Sequence, residues 1–135
     1  MLLPGELALW RRLGGPDRRH AVGVARAVAE AVPDAPRPVL AAALLHDVGK
    51  LDSGLGTFAR VPATLVGIVA GRDRGATWRG RVGAYLDHPA RGAAHLRAAG
   101  SDPLTVTWAE EHHLPHTSWS LPAPIAAALA AADDD

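Results

Sequence analysis

The chain has no cysteine, which excludes a disulfide framework, a thiolate nucleophile, an iron–sulfur cluster and a thiolate zinc site. Aromatic residues are scarce. One Phe, one Tyr and four Trp leave little of the material that favours β-strands. No charge of one sign dominates, because 14 basic residues balance 14 acidic ones; no global field draws the chain to polymeric nucleic acid or to an anionic membrane. No apolar run approaches the roughly 20 residues of a membrane span. The sequence opens without the basic-then-apolar pattern of a secretion signal, so the expectation is a soluble cytoplasmic protein. Lysine is nearly missing as well: Lys50 stands alone against 13 arginines.

Among 135 residues, 48% are apolar, enough for one core and too short a chain for two ordinary domains. A single domain over residues 1–135 is therefore expected. Alanine is abundant and favours helix, while prolines and glycines punctuate short helical segments. The pattern predicts helices over Glu6 to Leu13, Asp17 to Val32, a third from near Pro38 through Leu45, and Thr57 to Val69. An arginine-rich loop from Arg72 to Arg81 leads into a helix ending near Leu86. His88-Pro89 reads as a cap followed by proline at the first helical position, with Gly100 ending that helix. Asp102-Pro103 repeats the start signal for a helix through His113, and Pro124 opens an apolar helix that finishes in Asp133-Asp134-Asp135. The sum is an all-α bundle of about seven helices.

The polar residues inside this pattern carry the chemistry. His46 and Asp47 follow seven consecutive apolar residues, Val39 to Leu45, and burying such a pair is costly without a compensating partner. A His–Asp hydrogen bond or a helix-end cap would explain the dipeptide alone. The other histidines shift the balance. His20 flanks the apolar stripe Ala21, Val24, Val28 of the second helix. His112 follows Leu104 and Trp108 at four-residue steps, with His113 beside it, and His88 starts a helix. Asp133 ends an apolar helix as Asp47 does. Five histidines and two aspartates at helix ends, without thiols, form a nitrogen and oxygen ligand set suited to iron, manganese, cobalt, magnesium or zinc. His95 reads as a surface histidine, His116 as a loop residue divided between solvent and substrate, and Glu110 and Glu111 as surface charges.

His20 with its apolar followers, the run Leu44-Leu45-His46-Asp47-Val48-Gly49-Lys50 and the closing Asp133 together resemble the HD-domain metal-dependent phosphohydrolase superfamily. His88-Pro89 and His112-His113 are similar to the extra histidine stations of its binuclear branch. After His113 the chain reads Leu114-Pro115-His116-Thr117 and lacks a glycine–tyrosine–proline element, and position 16 is proline. The resemblance implies a helical bundle holding one or two divalent ions and hydrolysing a small phosphoester such as a nucleotide. It implies one ion on His20, His46, Asp47 and Asp133, and a second on Asp47 with His88, His112 and His113. Lys50, Arg91, Arg19 or Arg18, and His116 would then meet the substrate, with Asp47 and Lys50 as the catalytic pair. Two other readings share the ligand pattern: a non-catalytic metal- or nucleotide-binding regulatory module, and a mixed-valent di-iron oxygenase.

Overall fold

The computed structural model describes residues 1–53 and 88–134. Helix α1 spans Pro4–Arg12, α2 Gly15–Ala31 and α3 Arg37–Leu45, followed by a 3₁₀ turn over Val48–Ser53. Helix α4 spans His88–Ala98, α5 Pro103–Glu111 and α6 Ala123–Asp134, with a short 3₁₀ turn at His116–Ser118 between the last two. No strand occurs among the described residues. The helices expected at Thr57 to Val69 and ending near Leu86, and the arginine-rich loop between them, lie outside the described residues.

Local sequence sets the element ends. Asp102 caps α5 by accepting from the Leu104 N–H at 2.9 Å, with Pro103 in the first turn. Gly100, at φ 74°, ends α4. The Ser101 N–H reaches the Leu96 carbonyl at 3.0 Å and the Gly100 N–H the Arg97 carbonyl at 3.1 Å, the paired bonds that close a helix through a left-handed residue. Helix α1 begins earlier than expected because the Glu6 carboxylate reaches back to the Leu3 N–H at 2.7 Å. That carboxylate is buried and also accepts from Arg37 on α3 at 2.9 Å. Helix α2 starts at Gly15 rather than Asp17. Helix α5 stops at Glu111, leaving His112 as its C-cap.

Helix α3 is the axis of the bundle, packed on α2, α5, α1 and α6. Five of its nine residues are buried, as expected for an unbroken apolar run. On one side Val24, Val28, Val39, Trp108 and Leu129 form a core; on the other Leu9, Leu45, Val48, Leu96 and Val106 form a second. Each large side chain so buried contributes about 1.5–3 kcal/mol. His46 and Asp47 emerge at the end of α3, where the last residues of one core (Ala132) and of the other (Leu45, Val48) meet.

Candidate metal centre

His46, the C-cap of α3, directs Nδ1 at the Ala43 carbonyl oxygen, 3.0 Å away. A carbonyl only accepts, so Nδ1 carries a proton and Nε2 is the nitrogen turned inward, where it offers a lone pair when the ring is neutral. His112, the C-cap of α5, repeats this arrangement. Its Nδ1 lies 3.1 Å from the Ala109 carbonyl and 3.2 Å from that of Trp108. Backbone carbonyls that fix the far nitrogen of an imidazole are the usual support of a metal-binding histidine.

Asp47 lies between the two rings. Its Oδ2 is 3.6 Å from His46 Nε2 and pairs with Lys50 Nζ, while its Oδ1 is 3.3 Å from His88 Nε2 and 3.8 Å from His112 Nε2. His113 Nε2 meets His88 Nε2 at 3.0 Å. Asp133, in the last turn of α6, places Oδ1 2.9 Å from His20 Nε2 and 3.1 Å from His46 Nε2. Two sets result, each with donor atoms within 4.8 Å of one another: Asp47, His88, His112 and His113, and His20, His46 and Asp47. Asp47 belongs to both.

Three buried atoms of these sets, His46 Nε2, His112 Nε2 and Asp47 Oδ1, make no well-aligned hydrogen bond, only the close approaches among the cluster's own side chains given above. Buried polar atoms are almost always satisfied, and leaving each unpaired costs about 1–3 kcal/mol. Divalent cations held in the two sets would satisfy all three, His46 Nε2 in one set and His112 Nε2 in the other. The C-terminal ends of α3, α5 and α6 supply His46, His112 and Asp133, so partly negative carbonyl ends also converge there. The donor set, imidazole nitrogen and carboxylate oxygen, thus fits a divalent metal ion.

The electrostatics point the same way. Burial would push the Asp47 carboxyl up, but His112, His88, His46 and Lys50 together hold it well below the ordinary carboxylate range. Burial opposes ionisation of Asp133 too and is likewise outweighed, chiefly by His46 and then His20. Burial pulls His46 down, yet Asp133 and Asp47 prevail and raise it. The rings of the other set go the opposite way. Burial lowers His112, with His46 and His88 adding to the effect against Asp47. Burial and the neighbouring His112 and His88 push His113 down to about 3. Near neutral pH the His112–His113 side therefore offers neutral imidazoles beside an ionised Asp47, the protonation states a metal requires.

Comparison with protein-family models, curated proteins and solved structures finds no match. The site's chemistry is argued from its geometry.

All seven residues expected as ligands, His20, His46, Asp47, His88, His112, His113 and Asp133, come together. The expected substrate contacts divide. Lys50 lies on Asp47. Arg91, one turn after His88, has Nη1 3.8 Å from Asp52 Oδ2. Arg19 does not join the cluster; with Arg18 it lines a groove beside Trp10. His116 is exposed, its ring 6.4 Å from that of Trp119.

Two expectations need correction. His95 is not a free surface histidine: it is partly buried, and its Nε2 is 2.9 Å from Asp52 Oδ2. Asp52 lies six residues beyond His46 on the 3₁₀ turn, a neighbour of α4 that helical spacing did not reveal. Glu111 is no idle surface charge. Its carboxylate accepts from the Ser120 N–H at 2.8 Å and the Ser120 hydroxyl at 2.7 Å, tying down the loop that follows His113. Glu110 does sit on the surface, 2.7 Å from Arg97.

Proposed function

We propose that the chain is a metal-dependent phosphohydrolase of the HD-domain type, cleaving a phosphoester of a nucleotide, a cyclic dinucleotide or a similar small phosphorylated substrate. The observation that supports this reading is the convergence of buried His46, His112 and Asp47 atoms that make no well-aligned hydrogen bond, with Asp47 shared between two ligand sets. His20, His46, Asp47 and Asp133 would hold one divalent ion, and Asp47, His88, His112 and His113 a second. When bound, such ions act as Lewis acids that lower the pKa of water and neutralise charge on phosphoryl oxygens.

The remaining groups suit an anionic substrate. The Lys50 ammonium, already at the edge of the cluster on Asp47, would hold a non-bridging phosphate oxygen as a compact charge. Arg91 projects from α4 one turn past His88, with 44% of its side chain exposed, and would supply a second, forked contact. Asp52 orients it.

The test is phosphate release by the full chain, reconstituted with manganese or ferrous iron, across nucleotides, cyclic dinucleotides and simple phosphomonoesters. At least one substrate should turn over, and Asp47→Ala should reduce that rate by about a thousandfold or more, about 4 kcal/mol of transition-state stabilisation. Turnover in Asp47→Ala equal to that of the parent would overturn the reading. Full metal binding with no turnover of any substrate would move the chain to the regulatory-module class.

A further inference from the structure

Helix α2 has two working faces. His20 points at Asp133 and His46, and Ala21, Val24 and Val28 enter the core. The opposite face carries Gly15, Arg18, Arg19, Val22, Gly23 and Arg26, which with Trp10 of α1 line a groove of about 600 Å³. That volume lies inside the roughly 300–1,000 Å³ of small-molecule sites.

The charges of this groove are uncompensated. Arg37, Arg91 and Arg97 each face an acidic partner. Arg18, Arg19 and Arg26 make no ion pair or hydrogen bond among the described residues, and Glu30, one turn beyond Arg26, does not pair with it. In a chain of zero net charge, three guanidinium groups that are unpaired among the described residues are gathered here. Guanidinium presents a planar fork of donors suited to phosphate oxygens.

The floor is of a different kind. Trp10 and Val22 are partly buried and apolar, and Gly23 leaves open space, since a Cβ placed there meets nothing within 4 Å. An inorganic anion would make no use of that floor. A ligand with a flat, weakly polar ring and a phosphate would use both parts.

We propose that this groove binds a mononucleotide, its base against Trp10 and its phosphate on the arginines of α2. The site shares no residue with the metal cluster, so it stands or falls independently of the phosphohydrolase reading.

The test is calorimetric titration of the full chain with adenosine 5′-monophosphate, with adenosine and inorganic phosphate as comparison probes. The full chain should bind the nucleotide, and adenosine and phosphate should each bind at least about tenfold more weakly. Arg19→Ser with Arg26→Ser should weaken nucleotide binding by about tenfold or more, and so should Trp10→Ala through the lost stacking. Gly23→Leu projects into the groove from a position where an added Cβ meets nothing within 4 Å, so it should fold and lose binding. Binding that survives unchanged in the arginine and Gly23 variants would overturn the proposal. So would equal binding of phosphate alone, or a single-stranded oligonucleotide bound more than about tenfold tighter than the mononucleotide.

Discussion

At the residue scale the account turns on Asp47. Its carboxylate faces His46, His88, His112 and Lys50, and removing one partner of such a buried set leaves the others uncompensated. The ionisation of the set gives a pH test on protein stripped of metal by a chelator. Asp47 and Asp133 are held below their ordinary values. Their contribution to stability is present above the unfolded carboxylate pKa of about 4 and is lost as the pH falls below it. His112 and His113 are also lowered. The unfolded chain therefore takes up protons first as the pH drops below about 6.5, which again favours unfolding. His46, raised in the fold, works the other way, contributing below about 6.5 and losing that contribution as the pH rises through its folded value. The carboxylates decide the acid limb. Thermal melts of the stripped protein should fall steeply below about pH 4, and Asp47→Asn should make that limb shallower. Identical acid limbs in the two proteins would show that Asp47 is not held in its charged form.

At the element scale, what brings Asp47 to His88 is backbone contact between the 3₁₀ turn and α4. A Cβ on Gly49 would lie 1.8 Å from the His88 carbonyl oxygen and 2.6 Å from the Gly92 nitrogen, distances no side chain can occupy. Only glycine lets the turn lie against the start of α4. Gly49→Ala must therefore push α4 outward and carry His88 away from Asp47. The expected result is an overpacking cost of about 1–3 kcal/mol together with loss of metal from the His88 set, while His20, His46 and Asp133 keep theirs. Melting curves and metal analysis on the same preparation check both halves; a variant with the parent's metal content would refute the positioning role.

This element was only partly legible in the sequence. Helix starts and stops at Asp102-Pro103 and Gly100 were readable because caps and left-handed turns are local chemistry. The candidate ligand positions His46, Asp47 and Asp133 are legible because ionisable residues ending apolar runs are anomalous, and His112 because it follows Leu104 and Trp108 at four-residue steps. The Glu6–Arg37 and His95–Asp52 pairs were not, since they join residues 31 and 43 positions apart on elements whose adjacency no local pattern encodes. The resemblance implies Arg19 or Arg18 beside the substrate, but consecutive helical residues point about 100° apart, and next to His20 both arginines line the groove beside Trp10 instead.

At the scale of the whole molecule, α3 lies between two apolar cores and delivers a histidine and an aspartate to a place where α5 and α6 also end. Packing the helices brings their C-terminal ends together, and those ends carry the candidate ligands. The unpaired Nε2 and Oδ1 atoms are the residue-level trace of that arrangement, and metal binding would be coupled to the stability of the whole bundle. The most direct measurement is the number of divalent ions per chain after reconstitution of the full protein and removal of excess metal. The account predicts two ions in the parent, one in His112→Ala with the His20–His46–Asp47–Asp133 set still filled, and none in Asp47→Ala. An Asp47→Ala protein carrying the same metal content as its parent would contradict it.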